Sequence, residues 1–126
     1  MYNKVNICSY KKLIGMTINA ISGRPRMNKM SLITNEHKVY CFYPYTDYVA
    51  FTEITEICGD INNILNSEIN NIKKNKIIIK KPKLHTYAEQ ITIPGESYTI
   101  TTDNGTLVVK WSGKVDFILM PYVYLG

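Results

Sequence analysis

Histidine and cysteine are scarce in this chain, which contains two histidines and three cysteines. A structural zinc site needs about four converging thiolates or imidazoles at short spacings, and Cys8, Cys41 and Cys58 offer no CxxC pair. Cys41 and Cys58 lie among apolar neighbours, where a free thiol packs as a small hydrophobic group. We therefore predict no bound metal, no cofactor and no disulfide.

Motifs that would indicate an enzyme are also missing. The sequence contains no GxxxxGK[ST] and no GxGxxG, the loops that hold phosphates. His37 falls in a predicted hairpin turn and His85 follows a basic loop, and neither has a catalytic signature beside it. Two carboxylate pairs, Glu53 with Glu56 and Asp116 with Glu96, are more typical of solvated strand faces and a helix N-terminus than of acid/base catalysis. We predict that the protein is not an enzyme and has no catalytic residues.

Long apolar runs are absent as well. No stretch approaches the roughly 20 apolar residues that a membrane helix needs, and residues 1–15 lack the apolar segment of a signal peptide. A chain of 126 residues is long enough for one hydrophobic core and too short for two. These features predict a single domain over residues 1–126, located in the cytoplasm, without a membrane partner.

The positive charge is concentrated in one segment. The formal net charge is +5, and residues 73–83 contain lysines but no acid. In an extended strand these lysines alternate between two faces. They predict either a phosphate-binding patch, extended by an arginine loop, or an edge strand protected against unwanted pairing, which we favour. The candidate nucleic-acid-binding residues are Arg24, Arg26, Lys73, Lys74, Lys76, Lys80, Lys81 and Lys83.

Tyrosines form a second candidate surface. They are enriched at interface hot spots and are also good strand formers, so most of those in residues 40–51 are predicted to be structural. The polar corner at residues 45–48 is predicted to be exposed. Residues 120–125 form an apolar tail, which predicts a homodimer through the C-terminal edge. The candidate partner-binding residues are Tyr43, Tyr45, Asp47 and Tyr48.

Periodicity predicts strands along most of the chain. Residues 17–22, 27–34 and 38–43 alternate as strands and predict a three-stranded meander. Ile57, Ile61 and Ile64 have helical spacing, so residues 56–67 predict a short amphipathic helix. Either Thr55 or Asp60 can cap its start. Residues 68–81 and 84–93 predict further strands, the second ending before a Pro-Gly pair.

The C-terminal third contains the clearest local signal. Asn104-Gly105 separates two β-branched runs and predicts a hairpin with a type I′ turn. Residues 115–119 are predicted to follow as the third strand of a meander. Trp111 shares a strand face with Leu107 and Val109, which predicts its burial. The predicted class is α+β, mainly β: an antiparallel meander sheet with one or two short helices on a face.

Three short motifs resemble a family of small phage and prophage proteins of unknown function. They are LIGMTI at residues 13–18, ICGDI at residues 57–61 and GTLVVKWSG at residues 105–113. Family members often carry adjacent cysteines in the corner after the third strand. This chain has Tyr45-Thr46-Asp47-Tyr48 there, so the resemblance transfers no thiol or metal role to that corner.

The resemblance implies an accessory protein of a phage or other mobile element that acts by binding inside the host cell. The expected function is inhibition of a bacterial defence system, as anti-CRISPR proteins do. A chain with a net charge of +5 does not imitate acidic DNA. It would block an acidic protein surface, bind guide nucleic acid or sequester a nucleotide signal. Two alternatives stay open: a small basic nucleic-acid-binding module, and a virion or scaffold component.

Overall fold

The computed structural model describes residues 6–44, 52–82 and 90–120, most of which lie in strands. Along Met30–Thr34, for example, buried and half-buried residues alternate, as expected for a strand with one face on a core. The strands are β1 (Asn6–Ile7), β2 (Ile18–Ser22), β3 (Met30–Thr34), β4 (Val39–Pro44), β5 (Glu53–Cys58), β6 (Asn71–Pro82), β7 (Gln90–Thr102), β8 (Gly105–Ser112) and β9 (Val115–Leu119).

The nine strands of the described residues form two antiparallel sheets. Sheet 1 has the order β1-β9-β4-β3-β2, and sheet 2 has the order β5-β8-β7-β6. One cluster of buried side chains, drawn from both sheets, fills the space between them. The architecture is therefore two packed β-layers around a single core.

The predicted fold class is confirmed only in its mainly-β part. Within residues 6–44, 52–82 and 90–120 the helical segments are two 3₁₀ turns, Tyr10–Leu13 and Ile61–Asn63. The predicted α-helix over residues 56–67 is wrong. The first three residues of that range instead belong to β5 and pair with β8.

Strand pairing overrides the helical spacing in this segment. Gly59 turns the chain out of β5 with a φ of 108°. Asp60, one of the two predicted caps, caps this 3₁₀ turn rather than an α-helix, because its carboxylate accepts a hydrogen bond from the Asn62 amide at 2.9 Å. Asn66 follows with a φ of 60°, a left-handed conformation that asparagine tolerates and that an α-helix excludes. Only one short turn fits between these two points.

The predicted N-terminal meander is confirmed. Strands β2, β3 and β4 are consecutive neighbours in sheet 1 and pair antiparallel. Their bounds overlap the predicted ranges 17–22, 27–34 and 38–43. His37 lies exposed in the turn between β3 and β4 with a φ of 63°, where the sequence predicts a hairpin turn.

The predicted hairpin between β7 and β8 is confirmed, but its turn differs. Thr102 pairs with Gly105, so Asp103 and Asn104 occupy the central positions, and neither has a positive φ. A type I′ turn requires positive φ at both centres, so that prediction is wrong. Gly105 is favoured instead by its own φ of 140°, which L-residues rarely adopt.

The last described strand crosses to the other sheet. β9 pairs with β4 on one side and β1 on the other, so the predicted C-terminal meander is wrong although its strands are present. Gly113, with a φ of 90°, carries the chain between the sheets, and a Cβ there would lie 2.6 Å from the Thr52 hydroxyl. The predicted dimer edge at residues 120–125 lies outside the described residues apart from Met120, and stays a prediction.

Aromatic side chains join the two sheets at the centre of the core. Trp111, Leu107 and Val109 are each 0% exposed, which confirms the predicted shared face. Phe42 of sheet 1 contacts Tyr98 and Trp111 of sheet 2, with ring centroids 4.6 and 6.2 Å apart. Burial raises the pKa of Tyr98 above its ordinary value. The core therefore depends on these large side chains.

The turn between β2 and β3 forms backbone hydrogen bonds with sheet 2. The Met27 amide donates to the Arg24 carbonyl at 3.0 Å, around Pro25 and Arg26, whose φ is 77°. Proline followed by a residue with positive φ is the pattern of a type II turn. The Arg26 amide donates to the Ile54 carbonyl at 2.8 Å. This turn therefore borders β5, the edge strand of sheet 2.

Replacing Arg26 with glycine is expected to raise the free energy of unfolding by about 1 kcal/mol. A left-handed conformation costs an L-residue roughly 1–2 kcal/mol, and the greater freedom of glycine in the unfolded chain offsets part of that gain. Arg24→Gly removes the same charge from the same turn, at a position without positive φ, and should lower stability. Equal effects of the two variants in urea unfolding would contradict backbone strain at Arg26.

Candidate functional site

The β6–β7 hairpin extends beyond the rest of sheet 2. The two strands pair along β6 from Asn71 to Pro82, whereas β8 ends at Ser112, opposite Gly95. Residues 78–82 and 90–94 therefore continue as a two-stranded ribbon, with no third strand among the described residues. We call this ribbon the arm.

Two special residues let β7 continue past the end of β8. Pro94 lies inside β7, although the sequence predicts a strand end before it, and its carbonyl accepts a hydrogen bond from the Gly113 amide at 2.9 Å. The N–H and C=O of a strand residue point to the same side. The missing proline N–H thus faces away from β6. Gly95 lets β8 approach, because a Cβ there would lie 2.3 Å from the Trp111 carbonyl oxygen.

The arm exposes apolar side chains. Among the described residues four large apolar side chains are exposed, and two of them, Ile78 at 71% and Ile91 at 44%, lie on the arm. They project from opposite faces. Ile78 shares a face with its register partner Pro94, and Pro94 lies three residues from Ile91 in the same strand, where side chains alternate. A two-stranded ribbon is marginally stable on its own. The two isoleucines do not form one patch, so Ile78, the more exposed of the two, is the candidate anchor of a binding surface.

The lysines alternate along β6 as predicted. Lys76 and Lys80 are exposed and lie on the same face of β6 as Ile78. Nearer the core, this face carries the buried Ile72. Lys73 is exposed on the opposite face. The basic stripe is therefore split between the two faces. Two further lysines of the run, Lys81 and Lys83, have side chains outside the described residues.

Lys74 belongs to an ion pair in which only the carboxylate partner is buried. Its Nζ lies 3.0 Å from Glu96 Oε2 and 6.0 Å from the centroid of the Tyr98 ring. The Glu96 side chain is 8% exposed, and its other oxygen accepts a hydrogen bond from the Val115 amide at 3.2 Å. Lys74 is thus neutralised within the protein. The sequence could not show this, because the pairing depends on the register of the β6–β7 hairpin.

The two predicted arginines lie far from the lysines. The Arg26 backbone bonds to Ile54, and Ile54, Trp111, Glu96 and Lys76 form one row across sheet 2. At a strand spacing of about 4.8 Å, the three steps of this row span roughly 14 Å from β5 to β6, and the arginine turn lies beyond β5. The arginine turn and the lysine strand therefore lie at opposite edges of sheet 2.

The tyrosine corner lies mostly outside the described residues. Tyr45, Asp47 and Tyr48 fall in residues 45–51, which the structure does not describe. Tyr43 is half-buried in β4, opposite Asp116 of β9. Partner binding by these four residues stays a prediction.

A cavity lies where the arm meets the body of the protein. It measures about 320 Å³, and its walls include Lys76, Ile78, Pro94, Lys114 and Glu96, the partner of Lys74. Within the described residues neither Lys76 nor Lys114 forms an ion pair. The face of the arm that carries Ile78 is therefore concave, partly apolar and cationic.

The cysteines lie apart from one another and from the arm. Cys41 is buried, with its Sγ 3.3 Å from the Ser31 hydroxyl, while Cys8 and Cys58 are half-buried. The predicted burial is thus confirmed fully only for Cys41. Burial raises the pKa of all three thiols, and the Glu56 carboxylate adds to this effect at Cys58. Raised thiol pKa values disfavour the reactive thiolate at neutral pH.

Comparison with models of protein families, with curated proteins and with solved structures finds no match to this chain. Within the residues that the structure describes, no three side chains of histidine, cysteine, aspartate or glutamate could together hold a metal ion. The same residues contain no helix long and apolar enough to cross a membrane. The arm is the feature of the described residues that points most directly to a function.

Proposed function

We propose that this chain is an accessory protein of a phage or other mobile element that binds and inhibits a protein of a bacterial defence system. It acts in the cytoplasm of the host cell and without catalysis. The observation that carries the proposal is the arm, where Ile78 is 71% exposed between two exposed lysines. The motif resemblance at residues 13–18, 57–61 and 105–113 supplies the phage context.

An acidic protein surface is the partner that fits the arm best. Lys76 and Lys80 flank Ile78 on one face of β6, so a partner with an apolar contact bordered by carboxylates complements it. A central apolar anchor with charged residues at the rim is the usual arrangement of an interface hot spot. The cavity beside Ile78 offers room for a side chain of the partner.

Nucleic acid fits the arm less well. Phosphate binding needs clustered cations, but Lys74 is paired with Glu96 and the arginine turn lies across the sheet. Proteins that bind single strands stack bases on aromatic side chains. Among the described residues, the aromatic residue beside Lys74 is Tyr98, which is 2% exposed. A protein partner therefore accounts better for the exposed isoleucine.

Replacing Ile78 with glutamate tests this proposal in infected cells. Bacterial strains that each carry one defence system would express the wild-type protein or a variant, and phage plaques would be counted. We expect the wild-type protein to restore plaques in a strain whose system it inhibits. Ile78→Glu should weaken binding to that defence protein by about 30-fold or more, as loss of a hot spot does.

Ile7→Glu is the matched control, because Ile7 is 64% exposed and lies in β1 of the other sheet. It should restore plaques as well as the wild type does. Failure of the wild-type protein to restore plaques in any strain would refute the inhibitor role. Full activity of Ile78→Glu would show that the arm is not the binding surface. If nuclease treatment dissociates the complex of this protein with the defence protein, the nucleic-acid alternative would be favoured.

A further inference from the structure

The outer edge of β6 is not paired with any described strand. β6 is the last strand of sheet 2. Pro94 faces β8, because its carbonyl bonds to the Gly113 amide. Backbone groups along a strand point alternately to its two sides, so Gly95 faces β6. Its register partner Ile77 therefore directs its backbone groups towards β7.

It follows that the neighbours of Ile77 direct their backbone groups away from β7. Lys76, Ile78 and Lys80 thus present a row of N–H and C=O groups at the free edge, one residue in every two. An edge of this kind accepts an extended segment of another chain, unless charge or shape prevents pairing. The side chains of the same three residues decide which segment fits.

These side chains disfavour a second copy of this chain. If two copies paired antiparallel around Ile78, Lys76 of one copy would lie opposite Lys80 of the other, and like charges directly opposite each other destabilise a strand pair. An acidic residue at each of those positions turns the repulsion into attraction. The lysines therefore select an acidic strand and reject self-association.

We infer that the free edge of β6 binds an extended acidic segment of the target by antiparallel strand addition, an inference that rests on the proposed function. The segment places an acid opposite Lys76, an apolar residue opposite Ile78 and an acid opposite Lys80. Because strand side chains alternate between faces, its pattern is acid-x-apolar-x-acid. Main-chain bonds supply affinity and the alternate side chains supply selectivity.

A synthetic peptide, TETVTET with blocked ends, tests the side-chain pattern against the full chain by fluorescence anisotropy. We expect binding that weakens as salt is added. The peptide TKTVTKT places lysines opposite Lys76 and Lys80 and should bind at least about tenfold more weakly. Lys76→Gln should weaken binding of TETVTET, whereas Lys73→Gln, on the opposite face of β6, should leave it unchanged.

Backbone pairing is tested separately. N-methylation of the central valine of the peptide blocks an amide that faces β6 and should abolish binding, while N-methylation of a neighbouring threonine should not. Hydrogen exchange in the complex should slow at the amides of Lys76, Ile78 and Lys80. The amides of Ile77 and Ile79 face β7 and should change little.

Binding without slower exchange at those three amides would overturn strand addition, and equal affinity for TKTVTKT would overturn the acidic pattern. Absence of any TETVTET binding also overturns the inference. If Ile78→Glu still abolishes inhibition of defence in that case, strand addition is wrong and the proposed function stands. If Ile78→Glu is also fully active, the arm is not the binding surface.

Discussion

Trp111→Ala is expected to lower the free energy of unfolding by about 3 to 5 kcal/mol, the range for deleting a large buried aromatic side chain. Trp111 is 0% exposed, and its ring faces Phe42 of the opposite sheet with centroids 6.2 Å apart. Alanine would therefore leave a cavity between the two sheets, which can relax only partly to fill it. Urea unfolding followed by circular dichroism measures the loss.

Trp111→Phe distinguishes the contribution of the aromatic ring from that of the indole N–H. The Trp111 Nε1 atom is buried and has no hydrogen-bond partner among the described residues, so phenylalanine removes volume without breaking a bond. We expect it to cost less than Trp111→Ala, because phenylalanine retains most of the buried ring and leaves a smaller cavity. A Trp111→Ala protein with unchanged stability would show that the core assignment is wrong. Equal losses for the two variants would show that the indole N–H has a structural role.

The strands could be predicted from the sequence wherever one face is buried and the other is more exposed to solvent. Leu107, Val109 and Trp111 are each 0% exposed, whereas the residues between them are only half-buried. This period of two is a local property of the chain, so no knowledge of the partner strand is needed. The same holds for the meander of β2, β3 and β4.

The identity of the partner strands could not be predicted. The spacing of Ile57, Ile61 and Ile64 matches a helix, but it also results when a strand and a turn pack on one core. Ile64 is 0% exposed, and Ile57 is half-buried in β5 opposite Val109. Whether residues 53–58 pair with β8 depends on contacts distant in sequence, which a local period does not contain.

Only the local features of the candidate site could be predicted from the sequence. The alternation of lysines depends only on β6 being extended, and it is confirmed. The arm depends on where β8 ends relative to β7, which is a matter of register between distant segments. Ile78 carried a signal, an isoleucine with a lysine two residues to each side. Its exposure could not be inferred, because the neighbouring Ile77 and Ile79 are half-buried on the other face.

Lys74→Met is expected to lower the free energy of unfolding by about 2 kcal/mol. Removal of one partner from a fully buried ion pair costs roughly 3 to 5 kcal/mol. The Lys74 side chain is 36% exposed, so solvent screening reduces that figure. The cost arises because Glu96, 8% exposed, would keep the Val115 amide as its one remaining donor among the described residues.

Lys76→Met is the control, since Lys76 is exposed on the same face of β6 and forms no ion pair within the described residues. It should change stability by no more than about 0.5 kcal/mol. Adding Glu96→Gln to Lys74→Met removes the unpaired charge, so the double variant should be more stable than Lys74→Met alone. Equal stability of the two methionine variants in urea would refute the ion pair. A confirmed difference would show that Lys74 stabilises the fold, so binding by the arm is better tested at Lys76 and Lys80, whose substitution should leave stability nearly unchanged.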